Sequence, residues 1–132
     1  MNIISSFSRR RLARLNRRQR KKLCVGEFQQ VGCWVELRFV QPLDDRSLDA
    51  FVTAANALAA PLGLQLGGLG GAVPLAQTEA FVGGLEGYSV TSEQRDALLA
   101  GLKSMSEIAR VQVSDWIDVW YPGQVAAPLR DI

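Results

Sequence analysis

The first 22 residues limit what the chain can fold into, because they carry nine basic side chains and no acidic one. Like charges at this density repel one another, and the few apolar residues between them cannot offset the entropy lost on ordering the segment. We therefore predict that residues 1–22 form a basic N-terminal arm, disordered or helical, outside the core. The core must come from residues 23–132, a length that favours one domain.

The charge of the chain is divided between these two parts. The other six basic residues and all 13 acidic residues fall in residues 23–132, which carry −7 against +9 for the arm. Arginine suits a polyanion because its planar guanidinium group donates paired hydrogen bonds to phosphate and stacks on exposed bases. The predicted RNA-binding residues are the cations of the arm: Arg9, Arg10, Arg11, Arg14, Arg17, Arg18, Arg20, Lys21 and Lys22.

Other interpretations of the arm stay open at this point. A segment rich in Arg and Ser and free of acids also resembles an organelle presequence. Binding to an anionic membrane needs a cleaner hydrophobic face than Ile3, Ile4, Phe7, Leu12 and Leu15 provide. DNA is a further polyanion that the arm could bind. An intrinsic arm for RNA is the interpretation that we favour.

The first strand is predicted from an alternation that begins at Cys33. Cys33, Val35, Leu37 and Phe39 share one face, and Trp34, Glu36, Arg38 and Val40 share the other. A period of two with β-branched and aromatic residues is typical of a half-buried strand. Trp34 and Arg38, on the face opposite the core, are candidate partner contacts.

A helix is predicted directly after this strand. Pro42 stops the strand, and the Asp44–Asp45 pair can accept hydrogen bonds from the free amides of a first helical turn. With Asp49, this acidic cluster is interpreted as helix capping rather than as catalysis or metal binding. One apolar face follows at helical spacing, and Pro61 and Gly63 end it: Leu48, Phe51, Val52, Ala55, Leu58 and Ala59.

The second half of the chain predicts four more elements. They are a short strand at 62–66, a strand at 81–85 after a glycine turn at 67–71, a helix opened by a Thr91–Gln94 capping box, and a strand at 108–121 bent near Ser114. This order indicates an α+β fold, a ferredoxin-like βαββαβ sandwich with a four-stranded antiparallel sheet and two helices on one face. The domain spans residues 23–121, and residues 122–132 are expected to be a loose tail.

The chain lacks the residues of most catalytic sites. It contains no histidine, which excludes Ser-His-Asp and Cys-His catalysis. The GGLGG run at 67–71 has no following Gly-Lys-Ser/Thr, and EAFVGGLEGY lacks the stacking pattern of an RNA-recognition motif. Cys24 and Cys33 are too few ligands for a structural zinc site and are interpreted as reduced thiols, with a disulfide left open. We predict no enzyme, cofactor or metal.

The junction between arm and first strand resembles a known family. The segment NRRQRKKLCVGEFQQVGCWVELRF is similar to the signature of the YggL family of bacterial proteins that bind the large ribosomal subunit. The terminal DVWY, from Asp118 to Tyr121, resembles the ending of the same family. The matching residues of the junction are Arg17, Arg18, Arg20, Lys21, Lys22, Glu27, Phe28, Gln29, Gly32, Arg38 and Phe39.

The resemblance spans roughly residues 16–121 and is weak at 67–88, and the extensions 1–15 and 122–132 are additions. It implies a cytoplasmic protein of the large (50S) ribosomal subunit with a role in its assembly or function, and it implies no catalytic residue. Joined to the charge division, it predicts a monomer whose arm binds rRNA and whose acidic body faces ribosomal proteins, with no membrane or small-molecule partner. The alternative is a ferredoxin-like regulatory or small-ligand-binding module with an incidental basic tail.

Overall fold

The computed structural model describes residues 3–4, 14, 16–19, 30–85, 89–118 and 129–132. Within them, seven strands form one sheet and two helices follow the pattern expected from the sequence. The strands are β1 Ile3–Ile4, β2 Val31–Leu43, β3 Leu64–Gly67, β4 Leu75–Gly84, β5 Ile108–Ser114, β6 Trp116–Asp118 and β7 Leu129–Asp131. The helices are α1 Asp45–Ala59, followed by a 3₁₀ turn Ala60–Leu62, and α2 Ser92–Lys103.

Strand β2 is the centre of the sheet. It pairs antiparallel with β4 on one side and with β5 on the other, while β3 pairs with β4 and β7 with β5, which gives the order β3–β4–β2–β5–β7. Strand β6 continues the line of β5 past Ser114 and pairs with the start of β2, and β1 lies parallel to β6. The protein is therefore a mixed α/β structure with a mainly antiparallel sheet, as the element order predicted.

The predicted sheet of four strands was too small. Strands β1 and β7 extend it, and β6 is the part of the predicted strand 108–121 that lies beyond the bend near Ser114; each of the three has only two or three residues. A strand of two or three residues is too short to show a period of two. Its pairing depends instead on neighbours that are distant in sequence. The expectation of a loose C-terminal tail was wrong for residues 129–131, which pair with β5, and Lys103 Nζ donates to the Ile132 carbonyl at 2.7 Å.

Local signals set the bounds of both helices. Asp44 caps α1 by accepting from the Ser47 amide, and Thr91 caps α2 by accepting from the Gln94 amide. In each case the side chain of the third helical residue accepts a hydrogen bond from the cap amide, which completes a capping box. Gly63, with φ of 74°, ends the turn that follows α1. These boundaries confirm the helix predictions.

Both helices pack on one face of the sheet. The β2 residues that were predicted to be buried lie on this covered face. They pack with Phe51 of α1 and Leu98 of α2 in one hydrophobic core. Burial of each such side chain stabilises the fold by about 1.5–3 kcal/mol. Gly101 lets α2 approach α1, because a Cβ there would lie 2.7 Å from the Leu58 side chain. Cys33 is a free, buried thiol in this core, and Cys24 lies outside the described residues.

Candidate functional site

The described part of the basic arm begins a helical turn. The Asn16 side chain accepts from the Gln19 amide at 2.8 Å, the Gln19 side chain accepts from the Asn16 amide at 2.9 Å, and residues 17–19 are helical. Arg17 and Arg18 thus occupy the first turn, where the helix dipole disfavours cations. Both residues are exposed to solvent.

The predicted RNA-binding residues are only partly described by the structure. Arg14, Arg17 and Arg18 are exposed. The other six lie outside the described residues: Arg9, Arg10, Arg11, Arg20, Lys21 and Lys22. Their role in binding therefore stays a prediction.

The two predicted partner contacts, Trp34 and Arg38, lie on the face of the sheet that the helices leave uncovered. We call this surface the open face, formed by Trp34, Glu36, Arg38, Gln77, Glu79, Phe81, Arg110, Gln112 and Asp131. Trp34 is 38% exposed, and Arg38 is exposed as well. Both positions follow from the parity of β2, since their neighbours Cys33, Val35 and Leu37 are buried.

An aromatic pair lies at the centre of the open face. Trp34 is directly opposite Phe81 across β2 and β4, and their rings meet edge to face with centroids 5.2 Å apart. The backbone holds this pair from below: the Trp34 amide donates to Ser114 Oγ at 2.8 Å, at the bend between β5 and β6. A Cβ on Gly32 would lie 2.8 Å from the Phe81 ring, so glycine leaves room for it.

Charged and polar side chains continue this row toward the other end of β2. Glu36 is directly opposite Glu79, and Arg38 is opposite Gln77, to which its Nη2 donates at 3.3 Å. Like charges directly opposite each other on a sheet are destabilising. The Glu79 side chain has no hydrogen bond or ion pair with the described residues, so no described cation pairs with it directly.

An ion pair lies at the outer part of the open face. Arg110 donates to both carboxylate oxygens of Asp131, at 2.6 and 3.0 Å. These hydrogen bonds raise the pKa of Arg110 and lower the pKa of Asp131, with the field of Glu36 adding to the effect on Arg110. Both side chains are exposed, so the pair positions β7 more than it stabilises the fold.

The described residues line two cavities of note. One, of about 370 Å³, lies where β2 ends and α1 begins and includes Leu43 and Ser47. The other, of about 440 Å³, lies between the glycine turn 67–71 and the open face and includes Glu36, Gln77 and Glu79. Neither is lined by both helices, whereas the small-ligand alternative expected a concave site between sheet and helices.

The Cys33 thiol lies in the core, away from the open face. Burial raises the pKa of the Cys33 thiol to about 11, against the opposing fields of Arg95 and Arg130, so this thiol is not a nucleophile at neutral pH. In the described part of the chain, no three His, Cys, Asp or Glu side chains are arranged to hold a metal ion. No helix there is long and apolar enough to span a membrane.

Sequence reasoning missed Phe81 as a surface residue. The EAFVGGLEGY segment lacks the RNA-recognition pattern, so that pattern gave no reason to expect an aromatic residue on this face. The signal was present in the parity of β4, since Ala80 and Val82 are buried and Phe81 between them faces the other way. The Trp34–Phe81 pairing itself depends on the register between β2 and β4, which no local pattern encodes.

The fold and these surfaces define a small α/β protein with an open sheet face behind a basic N-terminal segment. The chain belongs to the family described as YggL 50S ribosome-binding proteins, whose family model matches residues 17–121. This match confirms the resemblance at the junction and at the DVWY ending. The family is described by ribosome binding and not by an enzymatic activity. No curated protein and no solved structure is significantly similar to the chain.

Proposed function

We propose that this protein is a non-enzymatic binder of the 50S ribosomal subunit in the bacterial cytoplasm, where it acts in assembly or function of the subunit. The observation that carries the proposal is the extent of the family match, which begins at Arg17 and so includes the basic run 17–22. The family is described as binding the 50S subunit, and this run is the most cationic part of the matched region.

We propose rRNA as the surface that the arm binds. Nine cations without an acid attract phosphate over distances set by the salt concentration, and each neutralised phosphate releases bound counterions. The exposure of Arg17 and Arg18 to solvent supports this role. Arg9, Arg10, Arg11, Arg14, Arg20, Lys21 and Lys22 are proposed to act with them.

The domain behind the arm is proposed to be a ferredoxin-like body that orients the arm. The order β3–β4–β2–β5 in the sheet, with α1 and α2 as the two crossover helices, supports this assignment. Strands β1, β6 and β7 are then additions to that core. The division into arm 1–22, domain 23–121 and tail 122–132 is kept as a proposal, with residues 129–131 joined to the domain through β7.

Sucrose-gradient sedimentation of the tagged protein in lysate, at low and at high salt, tests the proposal. We expect co-migration with the large subunit at low salt and its loss at high salt. The variant with Arg17, Arg18, Arg20, Lys21 and Lys22 changed to Gln should lose co-migration. In titrations with purified subunits, each phosphate contact removed should lower the log–log salt slope by about 0.7–0.9.

A single-site comparison provides the matched control. Arg18→Gln and Arg46→Gln remove the same charge, one from the arm and one from the exposed surface of α1. Only Arg18→Gln should weaken subunit binding. Equal binding of both variants, or co-migration of the five-fold variant at the wild-type level, would contradict the role of the arm. Stronger binding to duplex DNA than to structured rRNA at equal salt would assign the arm to DNA instead.

A further inference from the structure

The open face combines three features that each attract a cation. The Trp34 and Phe81 rings meet edge to face, which leaves part of the indole surface accessible, and an aromatic face binds ammonium and guanidinium groups. Beside the rings lies the Glu36–Glu79 pair. Next to that pair is the cavity of about 440 Å³ under the glycine turn. The three features form one continuous row along β2 and β4.

We propose that this open face binds a lysine- and arginine-rich polypeptide segment of a partner protein, with one basic side chain entering the cavity beside Glu36 and Glu79. The inference deepens the proposed function. It rests on that function only where it assigns the basic segment to a ribosomal protein. Charge complementarity favours this occupant, because residues 23–132 carry a net charge of −7. A cation between the two carboxylates removes the repulsion that the free protein contains at this point.

The cavity is built to receive a flexible basic side chain. The glycine turn is fixed to β4 because the Gly70 amide donates to Thr78 Oγ1, and Thr78 Oγ1 donates back to the Gly70 carbonyl, both at 3.0 Å. Gly68 and Gly71 have positive φ and no side chain to fill the space above the sheet. The Gln77 amide shares the lining and its oxygen already accepts from Arg38 Nη2, so the Glu36 and Glu79 carboxylates are the acceptors that the cavity offers to a further cation.

The chain itself already contains one contact of the proposed kind. The Arg95 guanidinium group of α2 lies over the Trp116 ring, 4.7 Å from its centroid. That contact is internal and connects α2 to β6. The Trp34 ring on the open face is the exposed counterpart, with no guanidinium placed over it by the described residues.

Single-stranded RNA is the competing occupant, because unpaired bases stack on exposed aromatic rings. The acids disfavour it. A base stacked on Trp34 would bring its phosphates close to the Glu36–Glu79 pair, where two like charges already face each other. The two arginines of this face are already engaged, because Arg110 donates to both carboxylate oxygens of Asp131 and Arg38 donates to Gln77.

The test is fluorescence anisotropy of a fluorescein-labelled peptide of alternating arginine and glycine, titrated with the full-length protein. The double variant Glu36→Gln, Glu79→Gln should bind about tenfold more weakly, and Trp34→Ala about threefold more weakly. The matched control Asp49→Asn, Glu93→Gln removes the same charge from the exposed surfaces of α1 and α2 and should change the affinity less than twofold. The charge-neutral double variant should also keep its stability, because it removes a repulsion.

Three outcomes would overturn the proposal. The first is an equal loss of affinity in the double variant and its control, which reduces the effect to net charge. The second is a loss of single-stranded RNA binding in Trp34→Ala that exceeds its loss of peptide binding. The third is peptide binding only after the five cations of residues 17–22 are changed to Gln, which makes the chain's own arm the occupant. Subunit co-sedimentation is measured separately, so failure here leaves the proposed function standing.

Discussion

Two aromatic pairs of nearly equal geometry lie on the opposite faces of the sheet. Phe39 meets Phe51 edge to face at 5.0 Å on the covered face, and Trp34 meets Phe81 in the same manner at 5.2 Å on the open face. Phe51 is 1% exposed and Trp34 is 38% exposed. The ring contact itself is similar, so the difference in water exposure decides which pair supports the fold and which is available to a partner.

The alternation of β2 produces this division within one strand. Phe39 and Trp34 are five positions apart, an odd number, and so point to opposite faces. A side chain of the covered face gains the full free energy of transfer from water, while one of the open face, such as Trp34, stays partly hydrated. Stability and binding can therefore be changed separately by substitutions in the same element.

The largest expected effect is on the covered face. Phe51→Ala should lower the free energy of unfolding by about 3–5 kcal/mol, because it removes a buried ring and leaves a cavity against Phe39. Urea unfolding, monitored by circular dichroism, measures this change as a shift of the midpoint urea concentration while the slope of free energy against urea concentration stays the same. A decrease of less than about 1.5 kcal/mol in the free energy of unfolding would mean that the Phe39–Phe51 pair stabilises the fold no more than the Trp34–Phe81 pair does.

A titration on the covered face gives the next effect. Burial raises the pKa of Cys33 from 9.0 to about 11 in the folded chain, so the folded state holds its proton at pH values where the unfolded state has lost it. The free energy of unfolding should therefore fall as the pH rises above 9.0, by about 1.4 kcal/mol per pH unit, until the folded pKa is reached.

Cys33→Ala is the control for this titration. The variant loses packing at all pH values but should lack the alkaline slope that the thiol adds, so the difference between the two curves isolates Cys33. If the wild type and the variant lose stability in parallel between pH 9.0 and 11, the thiol is not protected by the core.

The covered face and the helix boundaries could be predicted from sequence, because their signals are local. The parity of β2, the Asp44 cap and the Thr91–Gln94 capping box each lie within a few residues, and the structure confirms them. The order of the first four long strands and the two helices also follows from such signals. Local free energies decide these elements, and tertiary packing agrees with them.

The open face could be predicted only in part. The sequence placed Trp34 and Arg38 opposite the core, but the partners of Trp34 come from β4 and from the bend after Ser114, far along the chain. The glycine turn was identified as a turn, while the cavity beneath it depends on the Thr78 hydrogen bonds to Gly70. Strands β1 and β7 likewise depend on pairing with distant segments and leave no periodic signal, whereas β6 lies within the strand predicted at 108–121.

The smallest expected effect is on the open face. Trp34→Ala should lower the free energy of unfolding by about 1 kcal/mol, since the ring is partly hydrated before unfolding and its edge contact with Phe81 contributes about 0.5–1.5 kcal/mol. A double-mutant cycle with Phe81→Ala, measured by urea unfolding, isolates that contact. A coupling near zero would show that the two rings are adjacent without stabilising each other. A loss as large as that of Phe51→Ala would remove the distinction between the faces, because Trp34 would then be a core residue and unavailable to a partner.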